Sequence, residues 1–189
     1  MKLTIVRHGE TVENAKDEIM GQRGGTLSEK GIKQSKKLAE ELKNEHFDKA
    51  WSSDLTRCLD TAKYIVALQP KLQLQTTSAL REVNYGIFQG RPSAEIQKVY
   101  AKSSDFVNEK VEGGESHFEM FRRTITFINE LFSKYPTESI LIITHTGPIE
   151  AIRASVEKAK PNELFPDDMK NAGVWRLEVT KPLVLYPKS

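Results

Sequence analysis

Short apolar runs alternate with longer amphipathic stretches along this chain. Residues 3–6 and 140–143 are uninterrupted apolar runs, and the second is typical of a parallel strand covered on both faces. Residues 50–52 have the character of the end of another short strand. Apolar and charged residues alternate over 175–179, which predicts a half-buried strand near the end of the sequence.

Capping residues mark where the helices are expected to begin. Ser28 predicts the start of one helix and Asp54 the start of another. Ser116 and Glu119 fit a capping box, and apolar residues follow them at three- and four-residue steps. Pro148 suits the first turn of a further helix.

The predicted order is strand, helix, strand, helix, a long irregular middle, helix, strand, helix, strand. Such alternation favours an α/β protein, a three-layer α/β/α sandwich with a mainly parallel sheet. No repeat or linker divides the sequence, so residues 1–189 are predicted to form a single domain. The segment 91–114 is polar and weakly patterned, and we interpret it as an excursion from that domain.

Charge and composition limit the partners and the cellular locations that are compatible with the sequence. The chain has 28 Lys and Arg against 26 Asp and Glu, and a net charge of +2 is too small to indicate nucleic acid or an anionic membrane. No apolar run approaches the roughly 20 residues that a membrane helix needs. Cys58 is the only cysteine, which excludes an intrachain disulfide. The first residues become charged too early for a secretory signal, so the expected location is the cytoplasm.

Two histidines follow predicted strands, at the positions where open α/β sheets bind ligands. His8 follows the first strand, and His145 follows the strand at 140–143. Arg57 lies one turn into the helix that follows the second strand, and Glu82 is an acidic candidate in a polar loop. We therefore expect two histidines, arginines and a carboxylate to converge on one site.

Five ordered blocks surround these residues: Arg7-His8-Gly9-Glu10-Thr11, Ser52-Ser53-Asp54-Leu55-Thr56-Arg57, Glu82-Val83-Asn84-Tyr85-Gly86-Ile87-Phe88-Gln89-Gly90, Gly113-Gly114-Glu115-Ser116 and Thr144-His145-Thr146-Gly147. In this order they resemble the histidine phosphatase superfamily. The branch they resemble includes cofactor-dependent phosphoglycerate mutases, fructose-2,6-bisphosphatase and small-molecule phosphatases, and the chain is most similar to the last group. The resemblance implies a phosphoglycerate mutase-like fold.

The resemblance also implies an enzyme that passes a phosphoryl group through His8. A neutral imidazole can attack phosphorus and form a phosphohistidine, which divides the reaction into two steps. Arg7 and Arg57 would hold the equatorial oxygens, and His145 would add a donor if it is protonated. Glu82 would protonate the leaving group and then activate water. This scheme needs no metal and no cofactor.

Three further residues are implied to bind substrate: Asn14, Gly21 and Thr146. In the family a polar residue usually precedes the glycine that corresponds to Gly21, whereas this chain has Met20. The catalytic residues survive this departure, but the substrate of a family member cannot be carried over.

The expected partner is a small phosphorylated metabolite, and a homodimer is compatible with the sequence. Hydrolysis of a phosphomonoester is the leading hypothesis. One alternative is a cofactor-dependent phosphoglycerate mutase, which returns the phosphoryl group to its substrate. The other is a catalytically idle module that binds a phosphorylated ligand, and the intact set of candidate residues argues against it.

Several other residues are predicted to have structural roles only. His117 and the pair Arg122-Arg123 are expected to be solvated. Cys58 is expected to be a buried thiol on the apolar face of its helix. Glu10 is expected to support the loop after His8, and it is the next candidate for the general acid.

Overall fold

The computed structural model describes residues 1–158 and 169–185. Its main elements, in chain order, are β1 (Lys2–Arg7), α1 (Val12–Ala15), α2 (Glu29–Leu42), β2 (Lys49–Ser53), α3 (Thr56–Ala67), β3 (Leu74–Thr77), α4 (Ser93–Tyr100), α5 (His117–Lys134), β4 (Ser139–Thr144), α6 (Thr146–Glu157) and β5 (Val174–Glu178).

The sheet has five strands in the order β3-β2-β4-β1-β5. Strands β1, β2, β3 and β4 run parallel, and β5 is antiparallel to β1 at one edge. This arrangement confirms the predicted mainly parallel sheet.

Alternate residues of the central strands enter two separate cores. Leu3 and Ile140 pack with residues of α5 and α6, such as Ile128 and Ile152. Val6 and Leu141 pack on the other face with residues of α2 and α3. The unbroken apolar run of β4 is thus explained by burial on both faces, and the predicted three-layer α/β/α sandwich is confirmed.

The predicted helix starts agree with the structure at two of the three capping positions. The Ser28 hydroxyl accepts a hydrogen bond from the Gly31 N–H, and Ser116 and Glu119 form a reciprocal capping box. The prediction for Asp54 was wrong, because α3 has Leu55 at its N-cap and no side-chain cap. Asp54 instead forms an ion pair with Arg81, which competes for its carboxylate.

Three elements were absent from the sequence-based prediction, and the first of them, α1, is a single turn without a buried residue. β3 is an edge strand without a buried residue, so it lacks the apolar alternation that marks a strand. The segment 91–114, predicted to be irregular, contains α4. One side chain of α4, Ile96, is buried against Ile19 and Val111, which is too little apolar periodicity to mark a helix in the sequence.

The register of the sheet brings the candidate residues together at the carboxyl ends of its parallel strands. Arg7 pairs with Thr144 across β1 and β4, and Ser52 pairs with Ile143 across β2 and β4. The residues that follow these strands, among them His8 and His145, therefore leave the sheet side by side.

Candidate active site

His8 lies in the loop that follows β1. Its neighbour Gly9 donates from its N–H to the Thr61 hydroxyl over 2.9 Å. A Cβ on Gly9 would lie 2.7 Å from both the Gly31 carbonyl and the Ser35 hydroxyl, so only glycine allows α2 to approach this closely. His8 itself is 4% exposed. The contacts of Gly9 with Thr61 and α2 thus fix the backbone that carries the imidazole.

The His8 ring is neutral and has a defined tautomer. Its Nδ1 lies 2.8 Å from the Gly9 carbonyl oxygen, which can only accept, so Nδ1 carries the proton and Nε2 keeps its lone pair. Burial lowers the pKa of His8 well below its usual value, and the nearby positive charges of Arg57 and Arg7 lower it further. The lone pair on Nε2 is therefore available at neutral pH, as a nucleophile requires.

His145 lies behind His8, with the two ring centroids 5.1 Å apart. The Arg57 Nε–H donates to His145 Nδ1 over 3.1 Å, so the proton of His145 is on Nε2, 2.8 Å from the Ser53 hydroxyl. Burial and the charge of Arg57 lower the pKa of His145 well below its usual value. The sequence hypothesis that a protonated His145 adds positive charge is therefore not supported by this geometry. His145 is fully buried and contacts the buried Cys58 thiol.

Arg57 connects His145 to the segment that carries Gly21. Its guanidinium donates to the carbonyls of Gly21, Arg23 and Gly24 as well as to His145. These four bonds occupy four of its five N–H groups and leave one Nη2 donor for a ligand. Arg57 is 1% exposed, so its charge acts in a site where water screens it little.

Arg7, at the end of β1, and Asn14, in α1, are both close enough to His8 to line the same cavity. Arg7 lines the cavity described below, and its Nη1 donates to the Met169 carbonyl. The Asn14 Oδ1 accepts from the Thr11 N–H, which directs the amide nitrogen of Asn14 to act as the donor. Both residues lie where sequence analysis expected them.

Glu82 lies at the N-terminus of α6. Its Oε1 accepts from the Val83 N–H at 3.0 Å, and the Gly147 N–H is shared between Oε1, at 3.2 Å, and Oε2, at 3.4 Å. A Cβ at position 147 would lie 2.3 Å from Oε1, so glycine is required for this approach. Since Oε1 makes the two shorter contacts, Oε2 is the carboxylate oxygen less engaged by the backbone.

A second carboxylate and an arginine position the Glu82 backbone. Arg123 forms a two-pronged ion pair with Glu115, at 2.7 and 3.1 Å, and its Nη2 also donates to the Glu82 carbonyl over 2.9 Å. The Gln22 side-chain amide donates to the same carbonyl and to Glu115. The prediction that Arg123 is a solvated residue was therefore wrong, and only Arg122 remains exposed.

We expect Arg123→Gln to lower kcat roughly 10- to 100-fold, because small displacements of a catalytic group have effects of this size. The neighbouring Arg122→Gln is the matched control and should leave kcat unchanged. Steady-state phosphate release on an alkyl and an aryl phosphate checks this. A loss of thermal stability with both rates unchanged would reduce Arg123 to a purely structural role.

A cavity of about 480 Å³ opens in front of His8. Of the predicted residues, Arg7, His8, Asn14, Gly21, Arg57, Glu82 and Thr146 line it, and His145 alone lies behind the wall. The other lining residues are Ile19, Met20, Tyr85, Ser93, Ile96, Gln97, Tyr100, Phe106 and His117. Several of these belong to the segment 91–114, so the excursion forms part of the outer wall of the site.

His117 was predicted to be solvated, and that prediction was wrong. The residue is 4% exposed and its ring packs against Tyr85, Tyr100 and Phe106. Burial lowers the pKa of His117 to about 4, so the ring is uncharged at neutral pH. The polar residues near His117 in the sequence do not indicate burial. The aromatic side chains that bury it come from other segments of the chain.

Glu150, in the second turn of α6, was also missed. It is 8% exposed, and burial together with the charge of Glu82 raises its pKa to about 9. It is therefore a neutral carboxylic acid at pH 7. Its protonation spares the site a second negative charge beside Glu82, which would oppose the binding of phosphate.

Within residues 1–158 and 169–185, no group of three or more His, Cys, Asp and Glu side chains is arranged to hold a metal ion. None of the helices in these ranges combines the length and the hydropathy needed to span a membrane.

Known proteins resemble this chain over most of its length. Phosphoglycerate mutase-like protein 4 of Arabidopsis thaliana is 32% identical over 180 residues, which cover 92% of this chain and 77% of that protein. Phosphoserine phosphatase 1 of Hydrogenobacter thermophilus is 32% identical over 157 residues, or 80% and 74% of the two chains. A mycobacterial glucosyl-3-phosphoglycerate phosphatase in complex with VO3 is 27% identical, with a TM-score of 0.78 over 94% of this chain and 90% of that one.

A family model matches residues 3–182, and its description is histidine phosphatase superfamily, branch 1. The match spans all five sequence blocks and the elements that carry the cavity. The predicted fold class and the predicted class of phosphoric monoester hydrolase are thereby confirmed. The chain belongs to the histidine phosphatase superfamily.

Proposed function

We propose that this protein hydrolyses a small phosphomonoester through a phosphohistidine on His8. The observation that carries the proposal is the His8 tautomer. Nδ1 is tied to the Gly9 carbonyl, and Nε2 keeps its lone pair in a cavity that also contains Arg7, Arg57 and Glu82. A neutral imidazole next to two cations and one carboxylate provides a nucleophile, phosphate ligands and a proton donor.

In the first step, His8 Nε2 attacks phosphorus. The P–N bond forms as the P–O bond to the alcohol breaks, and the proton on Glu82 Oε2 goes to the departing oxygen. Arg7, the remaining Nη2 donor of Arg57 and the Asn14 amide bind the equatorial oxygens, where negative charge is concentrated. The alcohol then leaves through the outer part of the cavity.

In the second step, water attacks the phosphohistidine. The Glu82 carboxylate takes a proton from the water as the new P–O bond forms and the P–N bond breaks. His8 is released as the neutral imidazole, and Glu82 is protonated again. Inorganic phosphate is the product, and the enzyme returns to its starting state.

The lining of the cavity supports hydrolysis rather than isomerisation. Among the described residues that line it, Arg7 and Arg57 are the only ones with a permanent positive charge, and both lie next to His8. A mutase must retain a substrate with a carboxylate and a second phosphate while its phosphoenzyme is exposed, and these charges require separate cations.

Supply of 3-phosphoglycerate with a trace of 2,3-bisphosphoglycerate provides the test. We expect inorganic phosphate to be the main product and 2-phosphoglycerate to form more slowly than phosphate is released from the best phosphomonoester in a screen. Both products are measured separately, with a chelator present. Isomerisation that outpaces every hydrolysis would assign the protein to the mutases, and inactivity in both assays would favour the idle module.

We extend the proposal to the substrate class, the cellular location and the assembly of the enzyme. A small phosphorylated metabolite in the cytoplasm fits a cavity of about 480 Å³ and a single buried cysteine. Nucleic acid is not an expected partner, because the net charge is +2. Residues 1–189 are taken as one domain, and a homodimer stays a prediction that sedimentation can check.

A further inference from the structure

The outer wall of the cavity is a cluster of four rings. The His117 ring lies edge-on to Tyr85, Tyr100 and Phe106, with centroid distances of 6.1, 5.2 and 5.7 Å. All four residues line the cavity. They come from the Glu82 loop, from α4, from the segment after it and from the start of α5, so the wall is assembled from separate parts of the chain.

Aliphatic and thioether side chains complete this end of the cavity. Ile19, Met20 and Ile96 are each buried to more than nine-tenths and all three line it. The Met20 sulfur accepts a hydrogen bond from the Thr11 hydroxyl over 3.1 Å, which fixes the side chain at the position where a polar residue is usual in the family. Ser93 and Gln97 of α4 add uncharged polar groups.

No cation serves this end of the cavity within the described part of the chain. The lining residues there are aromatic, aliphatic or uncharged polar, and both lining arginines lie at the phosphate end. Apart from the two arginines, the charged residue among the lining side chains is the acidic Glu82. A carboxylate at this end would lose water without gaining a counter-charge, which costs free energy.

From this lining we infer that the preferred substrates are phosphomonoesters whose alcohol carries an uncharged, planar apolar ring, bound against Tyr85, Tyr100, Phe106 and His117. The inference rests on the proposed phosphatase activity and specifies the substrate class of the same site. This preference distinguishes the chain from an enzyme that acts on phosphoserine or phosphoglycerate, because the carboxylate of either substrate would have to lie against the four rings.

Matched substrates measure the preference. 2-Phenylethyl phosphate, 2-hydroxyethyl phosphate and 3-phosphoglycerate all release an aliphatic alkoxide, so their intrinsic reactivities are similar. We expect kcat/KM for 2-phenylethyl phosphate to exceed that for 2-hydroxyethyl phosphate about 10- to 100-fold, since a few apolar groups in a fitted pocket give discrimination of this order. The value for 3-phosphoglycerate should be the lowest of the three.

Binding of substrate-like phosphonates tests the subsite without catalysis. Calorimetry compares 3-phenylpropylphosphonate with 2-carboxyethylphosphonate, and we expect the first to bind at least about 10-fold more tightly, as for the esters. Tight binding of the phenyl compound without phosphate release from any ester would refute the proposed function and leave the subsite standing. Equal binding, or a preference for the carboxylate, would overturn the subsite whatever the hydrolysis assays give.

Two variants complete the test. Gln97→Arg places a cation on an exposed position of α4 that lines the cavity, and it should raise the kcat/KM ratio of 3-phosphoglycerate to 2-phenylethyl phosphate about 10-fold. Phe106→Ala should lower the preference for 2-phenylethyl over 2-hydroxyethyl phosphate by a similar factor. If neither ratio changes in folded variants, the alcohol does not bind against this wall and the inference is wrong.

Discussion

The His8→Ala variant is expected to lose at least about 10⁴-fold in kcat for every phosphomonoester, because removal of a nucleophile leaves only the binding contribution to catalysis. In the wild type, rapid-quench labelling with a radioactive phosphate ester should give an adduct on His8 that is labile in acid and stable in base. The Nε2 lone pair of His8 accepts no hydrogen bond from residues 1–158 or 169–185, whereas His145 accepts from Arg57 and donates to Ser53.

The exposed His46 offers a matched control, and His46→Ala should retain both rate and labelling. The pH dependence adds a second check. Because the pKa of His8 is lowered well below its usual value, the ring stays unprotonated as the pH falls through 6.5. Labelling by a saturating substrate should therefore persist as the pH falls below 6.5, the ordinary pKa of histidine. Labelling of His8→Ala at the wild-type level would transfer the nucleophile to another residue.

The Glu82→Gln variant is expected to lose roughly 10²- to 10⁴-fold in kcat on alkyl phosphates, the range typical of a removed general acid. An amide still accepts the N–H groups of Val83 and Gly147 but has no acidic proton. Activated aryl phosphates have less basic leaving groups and need less protonation. The loss on them should therefore be much smaller, and the ratio of aryl to alkyl rates should rise.

Glu10→Gln is the control for this variant. The Glu10 carboxylate accepts hydrogen bonds from the Lys30 amine and the Ser28 hydroxyl. These contacts lower the pKa of Glu10, so it is an unsuitable proton donor. Its variant should keep the wild-type ratio of aryl to alkyl rates. If the ratio changes for Glu10→Gln and not for Glu82→Gln, the acid has been assigned to the wrong carboxylate.

The parts of the fold that sequence predicts are those governed by local periodicity. The run at 140–143 identifies β4, and Ser28 and Ser116 identify two helix starts, because the hydrogen bonds of a cap span only three residues. Asp54 fails as a cap since its partner, Arg81, is 27 residues away. β3 and α4 escape prediction because they bury too few side chains to show a period.

In the candidate site, too, the features set by local sequence can be predicted and those set by distant contacts cannot. The residue types after strand ends suffice to bring His8, Arg57 and Glu82 to one cavity. The protonation states of the site residues and the side chains that they contact depend instead on distant segments of the chain. The neutral state of His145 depends on Arg57, and the burial of His117 depends on rings from three other places in the chain.

The register of the sheet also links catalysis to the cooperativity of unfolding. His8 and His145 leave adjacent central strands joined by six paired positions, with β2 and β5 on either side. Central strands open only in the highest free-energy fluctuations of a domain. The two histidines therefore separate only when the whole sheet unfolds, whereas the outer wall contributed by 91–114 contains no strand of that sheet and can open at lower cost. In increasing denaturant, substrate preference should weaken before the capacity to form the phosphohistidine is lost.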